Sequence, residues 1–282
     1  MTLLLGAVAY DPKVVTIWEG FRTWLRGHGL DFDFVLYSNY ERQVEDLVDG
    51  RNDVAWNSPL AWVRARRLAA ARRIPLVPVT MRDTDCDLTS VIVTRGDAGL
   101  RSVEDLRGKT IATGAVDSPQ ATLIPLQLLR NQGVRPGDDV TVERFDVRVG
   151  LHGDHIGGER DAARALAAGT VDAACMIDSN LLLFGQEGVL PGGVHVLART
   201  DPYDHCTMTA GPSAEPSELA RFAELLLGMS YADPEVRVLL DLEGLKQWQP
   251  PRLEGYAQLE DAVDATGFYD AAGGIGAGDY RP

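Results

Sequence analysis

Residues 90–109 read SVIVTRGDAGLRSVEDLRGK, and this stretch marks the point where one α/β series gives way to another. Its first part, Ser90 to Thr94, is rich in β-branched residues, which favours a buried strand. A small polar turn follows, and Val103 to Lys109 leads into a new series of strands and helices. We therefore expect the chain to cross between two lobes near residues 88 to 95.

Strands and helices alternate in the part of the chain that precedes this stretch. Short apolar runs predict the strands, and amphipathic spacing with helix-start residues predicts the helices. The predicted strands lie within Met1–Tyr10, Phe32–Leu36, Asp53–Trp56 and Leu76–Val79, and the predicted helices are Val15–Gly27, Tyr40–Val48 and Pro59–Arg73. This order implies a sheet rich in parallel strands with helices on its faces.

The alternation continues in the second series. Its predicted elements are strand Thr110–Ala112, helix Ser118–Asn131, strand Val140–Val142, a helix from about Glu159 to Ala168, and strand Val171–Met176. A return crossing near residues 200 to 212 would leave C-terminal helices, within residues 215–264, packed on the first lobe. The glycine-rich tail, residues 271–278, carries little to bury, so we expect a frayed or draped end.

These elements predict an α/β protein with two lobes and a ligand cleft between them. Lobe 1 would comprise residues 1–89 and 206–282, and lobe 2 would comprise residues 90–205. With 282 residues, 45% of them hydrophobic, the chain is long enough to form two cores of ordinary size.

The charge of the chain excludes two kinds of partner. Nucleic acid and anionic lipid both attract a positive protein face, whereas this chain has a formal net charge of −14 and a pI near 4.7. We therefore expect no nucleic-acid binding. No apolar run reaches the ~18 residues that are needed to span a bilayer, so we also expect a soluble chain without membrane insertion.

The cysteines and the N-terminus bear on the cellular compartment. Cys86, Cys175 and Cys206 are odd in number and widely spaced, which predicts free thiols and a reducing compartment. The N-terminus reads directly as a strand, without a cationic segment or a lipobox, so the sequence as written predicts a cytoplasmic protein. A periplasmic or extracytoplasmic location would follow if a signal peptide had been removed.

The order of these motifs resembles the periplasmic phosphonate-binding family over most of the chain, from Tyr10 to about Tyr269. Three segments carry the resemblance: Asp53–Trp56 followed by Pro59, Ser90–Val93 leading to Leu106–Lys109, and Gly114 through Ser118 to Pro125. The resemblance implies the type 2 periplasmic-binding-protein fold, in which two mixed sheets are flanked by helices and joined by a two-strand hinge. It also implies a small-molecule ligand and an ABC permease as partner.

In that family, a turn rich in serine and threonine at a helix N-terminus holds the phosphonate oxygens. The matching turn here spans Asp117 to Thr122, in which Ser118 keeps its hydroxyl but Pro119 and Gln120 replace others. Asp117 adds negative charge, so we expect a neutral, zwitterionic or monoanionic ligand to bind better than phosphonate. We take Ser118 and Gln120 as candidate ligand-binding residues, although an N-cap followed by proline also explains Ser118.

Aromatic and acidic residues complete the candidate binding site. Tyr40 and Trp56 match aromatic positions that line the cleft in the resembled family, although core packing explains Trp56 equally well. A family acid that receives the ligand's ammonium aligns with Ser179, beside Asp178, and a second acid falls near Asp204. The remaining candidate ligand-binding residues are Tyr10 and, as an alternative to Asp204, His205.

The segment before the predicted helix at Glu159 concentrates histidines and carboxylates. The spacings of His152, His155 and Glu159 would place them on one helical face, where they could bind a divalent metal such as zinc or iron. Against this, Gly153, Gly157 and Gly158 make a continuous helix unfavourable. The alternative is a glycine loop that caps a helix at Glu159 and exposes its polar side chains to water.

The leading hypothesis is a solute-binding protein that captures a small polar or zwitterionic ligand between the lobes. The rival is a cytosolic enzyme on the same fold, resembling the dehydratases or synthases of cofactor biosynthesis. In that enzyme, His155 would act as acid or base, Cys206 as nucleophile, and a metal as the candidate cofactor. A third hypothesis, a ligand-sensing or scaffold subunit, has no positive feature in the sequence.

Overall fold

The computed structural model describes residues 2–146 and 156–282. Its strands are β1 Leu3–Val8, β2 Phe32–Tyr37, β3 Val54–Asn57, β4 Val77–Arg82, β5 Ser90–Arg95, β6 Thr110–Thr113, β7 Thr141–Arg144, β8 Ala173–Ile177, β9 Val194–Arg199, β10 Thr207–Ala210 and β11 Trp248–Gln249. Its α-helices are α1 Lys13–Gly27, α2 Tyr40–Val48, α3 Pro59–Arg72, α4 Ile124–Asn131, α5 Ile156–Ala168, α6 Asp178–Gln186, α7 Pro216–Leu227, α8 Pro234–Glu243 and α9 Ala257–Thr266. Of these, α6, β9, β10 and β11 were not predicted from the sequence.

The first sheet has the strand order β11-β4-β10-β3-β1-β2. Strand β1, next to the edge strand β2, runs parallel to β2 and β3, whereas β10 runs antiparallel to β3 and β4. The apolar side chains of these strands pack with those of α1, α7 and α8. The resulting core contains large, fully buried rings from distant parts of the chain, including Phe21, Phe32, Phe222 and Trp248.

The second sheet has the strand order β7-β6-β8-β5-β9. Here β6 is parallel to β7 and β8, and β5 is antiparallel to β8 and β9. Successive residues of a strand point to opposite faces, and accordingly Val91 and Ile92 of β5 enter two different cores. Both sheets are mixed and flanked by helices, which confirms the predicted fold class.

Two crossing segments join the lobes side by side. Leu88, just before β5, and Tyr203, between β9 and β10, each donate a backbone N–H to the other's carbonyl at 2.8 Å. The Tyr203 hydroxyl also lies 2.7 Å from the Ser90 hydroxyl. Because β10 joins the first sheet from Thr207, the return crossing is shorter than the predicted range of 200 to 212. The lobe boundaries at residues 89/90 and 205/206 stay a prediction.

The helix predicted for Ser118–Asn131 is divided into two parts. Residues Pro119–Leu123 form a π-helical turn, and α4 follows it. Pro125 accounts for the irregularity, because it has no N–H to donate to the carbonyl of Ala121. The N–H of Gly114 donates to that carbonyl instead, at 3.2 Å.

The described part of α5 begins at Ile156 and includes both Gly157 and Gly158. Gly157 and Gly158 therefore do not interrupt the helix, whereas Gly153 lies outside the described residues, so whether the helix is continuous from His152 stays untested. A Cβ on Gly158 would collide with the carbonyl oxygen of Phe145 and would lie 3.5 Å from the Ala115 nitrogen. This glycine thus allows the helix to approach neighbouring backbone closely, a packing requirement that outweighs its low helix propensity.

The C-terminal segments reach both lobes. Helix α9 packs against α4, and its Leu259 and Val263 join Leu123 and Ile124 in one buried cluster. Helix α9 also packs on Leu60 and Val63 of α3, so it contacts the first lobe as expected and the second lobe in addition. Among residues 2–146 and 156–282, we find no helix with both the length and the apolarity that a bilayer crossing requires.

The chain end is draped over the protein and is not frayed. Tyr280 is buried, and its hydroxyl donates to Glu41 Oε1 at 2.9 Å. Tyr269 donates to the same oxygen at 2.8 Å. The neighbouring Asp279 forms an ion pair with Arg144 of β7 at 2.5 Å. Consecutive residues of the tail therefore contact the two lobes.

Candidate functional site

The turn after β6 satisfies its own backbone donors. The Ser118 Oγ accepts from the Ala121 N–H at 3.1 Å, and the Ser118 carbonyl accepts from the N–H groups of Thr122 and Leu123 at 3.2 and 3.0 Å. The Ser118 N–H also donates within the turn, and Pro119 has no N–H. Ser118 therefore acts as an N-cap here, and the turn has few donors left for an anion.

Glu159 lies at the carboxyl end of β8 and is fully buried. Its Oε2 accepts from the Ile177 N–H and from the Asn180 amide, both at 2.9 Å. Within the described ranges, its Oε1 has no hydrogen-bond partner. Burial raises the pKa of Glu159 to about 7, although the hydrogen bonds from Asn180 and Ile177 oppose this shift. Glu159 itself is therefore not exposed to water, and His152 to His155 of the alternative glycine loop lie outside the described residues.

Gln120 lies beside Glu159 and also has a buried acceptor. The Gln120 side chain is close enough to stabilise the Glu159 carboxylate, and the Gln120 Oε1 has no hydrogen-bond partner among the described residues. These two side chains lie at the carboxyl ends of β6 and β8, which are adjacent parallel strands. Ligands of α/β proteins commonly bind at this edge of a sheet.

The aromatic candidates of lobe 1 differ in their surroundings. Tyr40 lines a narrow gap between the lobes, together with Asp117 and Pro119 of lobe 2. Trp56 packs edge-on against Trp248 with ring centroids 5.7 Å apart, and the Arg82 guanidinium lies 5.2 Å from its ring centroid. The position of Tyr40 suits a cleft wall, whereas Trp56 belongs to the core of the first lobe.

A buried polar cluster surrounds His205 on the return crossing. The His205 Nδ1 lies 3.3 Å from Asp85 Oδ1 and 3.2 Å from Cys206 Sγ, and Asp85 forms a bidentate pair with Arg82 at 2.6 and 2.9 Å. Burial lowers the pKa of His205, but Cys206 and Asp85 outweigh burial and raise it to about 10. His205 is therefore a cation at neutral pH.

This cluster argues against two kinds of chemistry. Asp85, His205 and Cys206 place one ligand atom each within 4.8 Å of one another, a donor set that suits zinc. However, Asp85 forms a bidentate ion pair with Arg82, so a metal would have to compete with this guanidinium for the carboxylate. A Cys–His–Asp relay uses both ring nitrogens of histidine, whereas both partners of His205 meet Nδ1.

The predicted acidic residues are paired with arginines in this structure. Arg252 binds Asp204 through Nε at 3.0 Å and also binds Asp87. Asp178 forms an ion pair with Arg199 at 2.7 Å. Their role in ligand binding stays a prediction.

The other predicted site residues give less information. Tyr10 is 38% exposed on the loop after β1. His152 and His155 lie outside the described residues, so their roles as metal ligands, and that of His155 as acid or base, stay predictions. Sequence reasoning missed Arg82 and Asp85, because nothing in their local sequence connects them with His205.

Three solved structures share the fold of this chain. PhnD1 from Prochlorococcus marinus (MIT 9301), in complex with methylphosphonate, is 16% identical with a TM-score of 0.68, over 95% of this chain and 99% of that chain. XAC2383 from Xanthomonas citri, bound to chloride ion, is 18% identical with a TM-score of 0.71, over 94% and 99%. The periplasmic aliphatic sulphonate binding protein SsuA from Escherichia coli is 17% identical with a TM-score of 0.55, over 100% and 92%.

These likenesses confirm the two-lobed periplasmic-binding-protein fold. The sequence itself matches the profile of a family described as "ABC transporter, phosphonate, periplasmic substrate-binding protein" over residues 7–256. That range contains the second sheet, all of the first sheet except the beginning of β1, both crossings and the candidate site. The chain therefore belongs to the family of periplasmic substrate-binding proteins of phosphonate ABC transporters, and it is a solute-binding protein.

Proposed function

We propose that the protein captures a small polar or zwitterionic solute reversibly between its lobes and delivers it to an ABC permease. One observation carries the choice of site. Glu159 and Gln120 of lobe 2 form a fully buried polar edge whose two Oε1 atoms lack partners within the described ranges. His205 on the return crossing is close enough to stabilise the ionised Glu159. A solute bound there would contact lobe 2 and the crossing at once.

The two crossings provide the expected hinge. Their backbones are joined by the reciprocal bonds of Leu88 and Tyr203, by a bond from the His205 N–H to the Asp85 carbonyl at 2.9 Å, and by one from the Thr200 N–H to the Ser90 carbonyl at 2.9 Å. We take this short two-stranded contact as the hinge about which the lobes rotate. A ligand that touches both lobes stabilises the closed form by its differential affinity for that form. Tyr40 would form the wall of the cleft, and Ser118 and Gln120 would contact the ligand from lobe 2.

The relatives support capture without chemical change. PhnD1 forms a complex with methylphosphonate, and SsuA is an aliphatic sulphonate binding protein. His205 is not arranged as a catalytic relay, because Asp85 and Cys206 both contact its Nδ1 atom. We therefore expect the solute to leave the protein in the form in which it entered.

Native mass spectrometry of gently purified protein tests this function. We expect a noncovalent adduct of one small molecule per chain, which is lost on unfolding and is recovered chemically intact. Prolonged incubation of the recovered molecule with fresh protein should leave its mass unchanged. Conversion to a product would overturn the proposal in favour of an enzyme, and the absence of any small-molecule adduct from cell extracts would count against capture.

A further inference from the structure

We propose that lobe 2 recognises a nitrogen group with N–H donors on the ligand, an ammonium or an amidinium, through Gln120 and Glu159. This inference rests on the proposed capture function and specifies the class of ligand. It assigns Gln120 and Glu159 as residues that determine specificity.

The first argument is the balance of donors and acceptors at these two side chains. Glu159 is 0% exposed and Gln120 is 7% exposed, so water does not reach them freely. Ile177 and Asn180 both donate to the Glu159 Oε2. The Glu159 Oε1 and the Gln120 Oε1 have no hydrogen-bond partner in the described structure. Buried acceptors without donors are unfavourable, so a ligand that supplies N–H groups would restore lost hydrogen bonds.

The second argument is the shortage of donors for an anion. Four N–H groups of the turn, at Ser118, Ala121, Thr122 and Leu123, have acceptors inside the turn, so the donors left for an anion are few and include the Ser118 hydroxyl and the Gln120 amide. A sulfonate or a fully ionised phosphonate has only acceptor oxygens, and these would lie beside the Glu159 and Gln120 oxygens. Such contacts place acceptor against acceptor, which is repulsive.

The third argument is the pairing of the arginines around the hinge. Arg82 is held by Asp85 and Glu243, Arg199 by Asp178, and Arg252 by Asp87 and Asp204. Each guanidinium is therefore already neutralised. His205 stays cationic, and it faces Asp85 and Cys206. Its positive charge is therefore available only to an acceptor group of a zwitterionic ligand, at the end of the ligand that is far from its ammonium.

The test compares four head groups on one propyl body. Propylamine, butyramidine, propylphosphonate and propanesulfonate are each added to the purified protein at neutral pH, and thermal unfolding is followed. A ligand that binds only the native state raises the unfolding temperature. We expect an increase with the ammonium and amidinium compounds and none with the two anions.

Titration calorimetry with the better cation then identifies the residues. Glu159→Gln replaces a carboxylate oxygen by an amide donor, and we expect it to weaken cation binding by about 10- to 100-fold. Gln120→Leu removes the other acceptor and should also weaken binding. Glu143→Gln makes the same chemical change on the exposed strand β7 and should leave affinity unchanged. Circular dichroism checks that each variant is folded. If Glu159→Gln does not fold, the test rests on Gln120→Leu.

Three outcomes would overturn the inference. A larger temperature increase with propylphosphonate or propanesulfonate would exclude it while leaving capture intact. Undiminished cation binding in both Glu159→Gln and Gln120→Leu would exclude these residues as the recognition site. If none of the four compounds shifts unfolding, the inference fails, and the adduct seen by native mass spectrometry decides separately whether the protein captures a solute.

Discussion

The Ser118 side chain caps a helical turn and also lies at the candidate binding site. Its Oγ accepts from the Ala121 N–H at 3.1 Å, in the turn that begins at the edge of the second sheet. The same hydroxyl retains its own proton, which can be donated to a ligand. Sequence analysis left the N-cap and the ligand contact as alternatives, and the geometry is compatible with both.

Ser118→Ala should therefore affect both stability and binding. We expect the free energy of unfolding to fall by about 1 kcal/mol, because an N-cap acceptor is lost. Ligand affinity should also fall, while the fold is retained. Chemical denaturation and calorimetry with the native ligand measure the two effects. Asp233→Ala removes a comparable N-cap at α8, where the Asp233 Oδ1 accepts from the Glu235 N–H at 2.9 Å. That variant should lose stability but keep its affinity; an unchanged affinity in Ser118→Ala would exclude Ser118 from the site.

His205 makes stability depend on pH in the alkaline range. Its pKa is about 10 in the folded protein, against 6.5 as the ordinary value, because Cys206 and Asp85 outweigh the effect of burial. Between these two values the folded state holds a proton that the unfolded state lacks. The stabilisation is therefore fully present below about pH 6.5 and is lost as pH rises through about 10.

The measurement is the free energy of unfolding from pH 6 to pH 10, in wild type and in His205→Gln. We expect the difference between the two proteins to shrink as pH rises, by roughly a few kcal/mol over the range. His195→Gln, on an exposed position of β9, should follow wild type. Parallel curves for wild type and His205→Gln would show that His205 does not hold the extra proton.

At the level of elements, α5 and the turn before α4 depart from local sequence rules for identifiable reasons. Gly158 is helical because the carbonyl oxygen of Phe145 occupies the space of its missing Cβ. The π-helical turn at Pro119–Leu123 forms where Pro125 removes a donor. Both irregularities place Glu159 and Gln120 at the edge of the second sheet.

Gly158→Ala should destabilise the protein although alanine is the better helix former. We expect a loss of about 1–3 kcal/mol, because the new Cβ forces the helix away from Phe145. Gly185→Ala in α6 is the matched control, since a Cβ at that position meets nothing within 4 Å. It should be neutral or stabilise by up to about 1 kcal/mol. Equal effects of the two substitutions in urea denaturation would contradict the close approach at Gly158.

At the level of the whole molecule, the C-terminal tail connects the lobes. Tyr280 packs in a cluster that contains Leu60 of the first series and Val116 of the second. Its hydroxyl bonds Glu41, and the adjacent Asp279 pairs with Arg144 on β7. Closure of the lobes therefore involves the tail as well as the ligand.

Removal of residues 279–282 should lower the unfolding temperature and favour a more open arrangement of the lobes. We expect a larger radius of gyration in small-angle X-ray scattering of the ligand-free protein. Asp279→Asn alone should have little effect, because partly exposed ion pairs contribute about 0–1 kcal/mol. An unchanged radius of gyration after truncation would show that the tail does not hold the lobes together.

The sequence by itself determined the fold class and most of the elements. Hydrophobic periodicity and capping residues act over a few positions, so helix α2 was predicted with its observed bounds, Tyr40–Val48, and is capped by Asn39. The order of the motifs placed the chain among binding proteins, and it identified Ser118, Gln120 and Tyr40 as candidate ligand-binding residues.

Only the tertiary structure decided the character of the site. The burial of Glu159, the pairing of Asp204 with Arg252, and the cation at His205 beside Asp85 depend on residues far apart in the chain. Burial and charge pairing set the protonation state of a group and its capacity for hydrogen bonds, and local sequence carries neither. For the same reason α5 could continue through Gly158, because the obstacle at that position is a distant backbone oxygen.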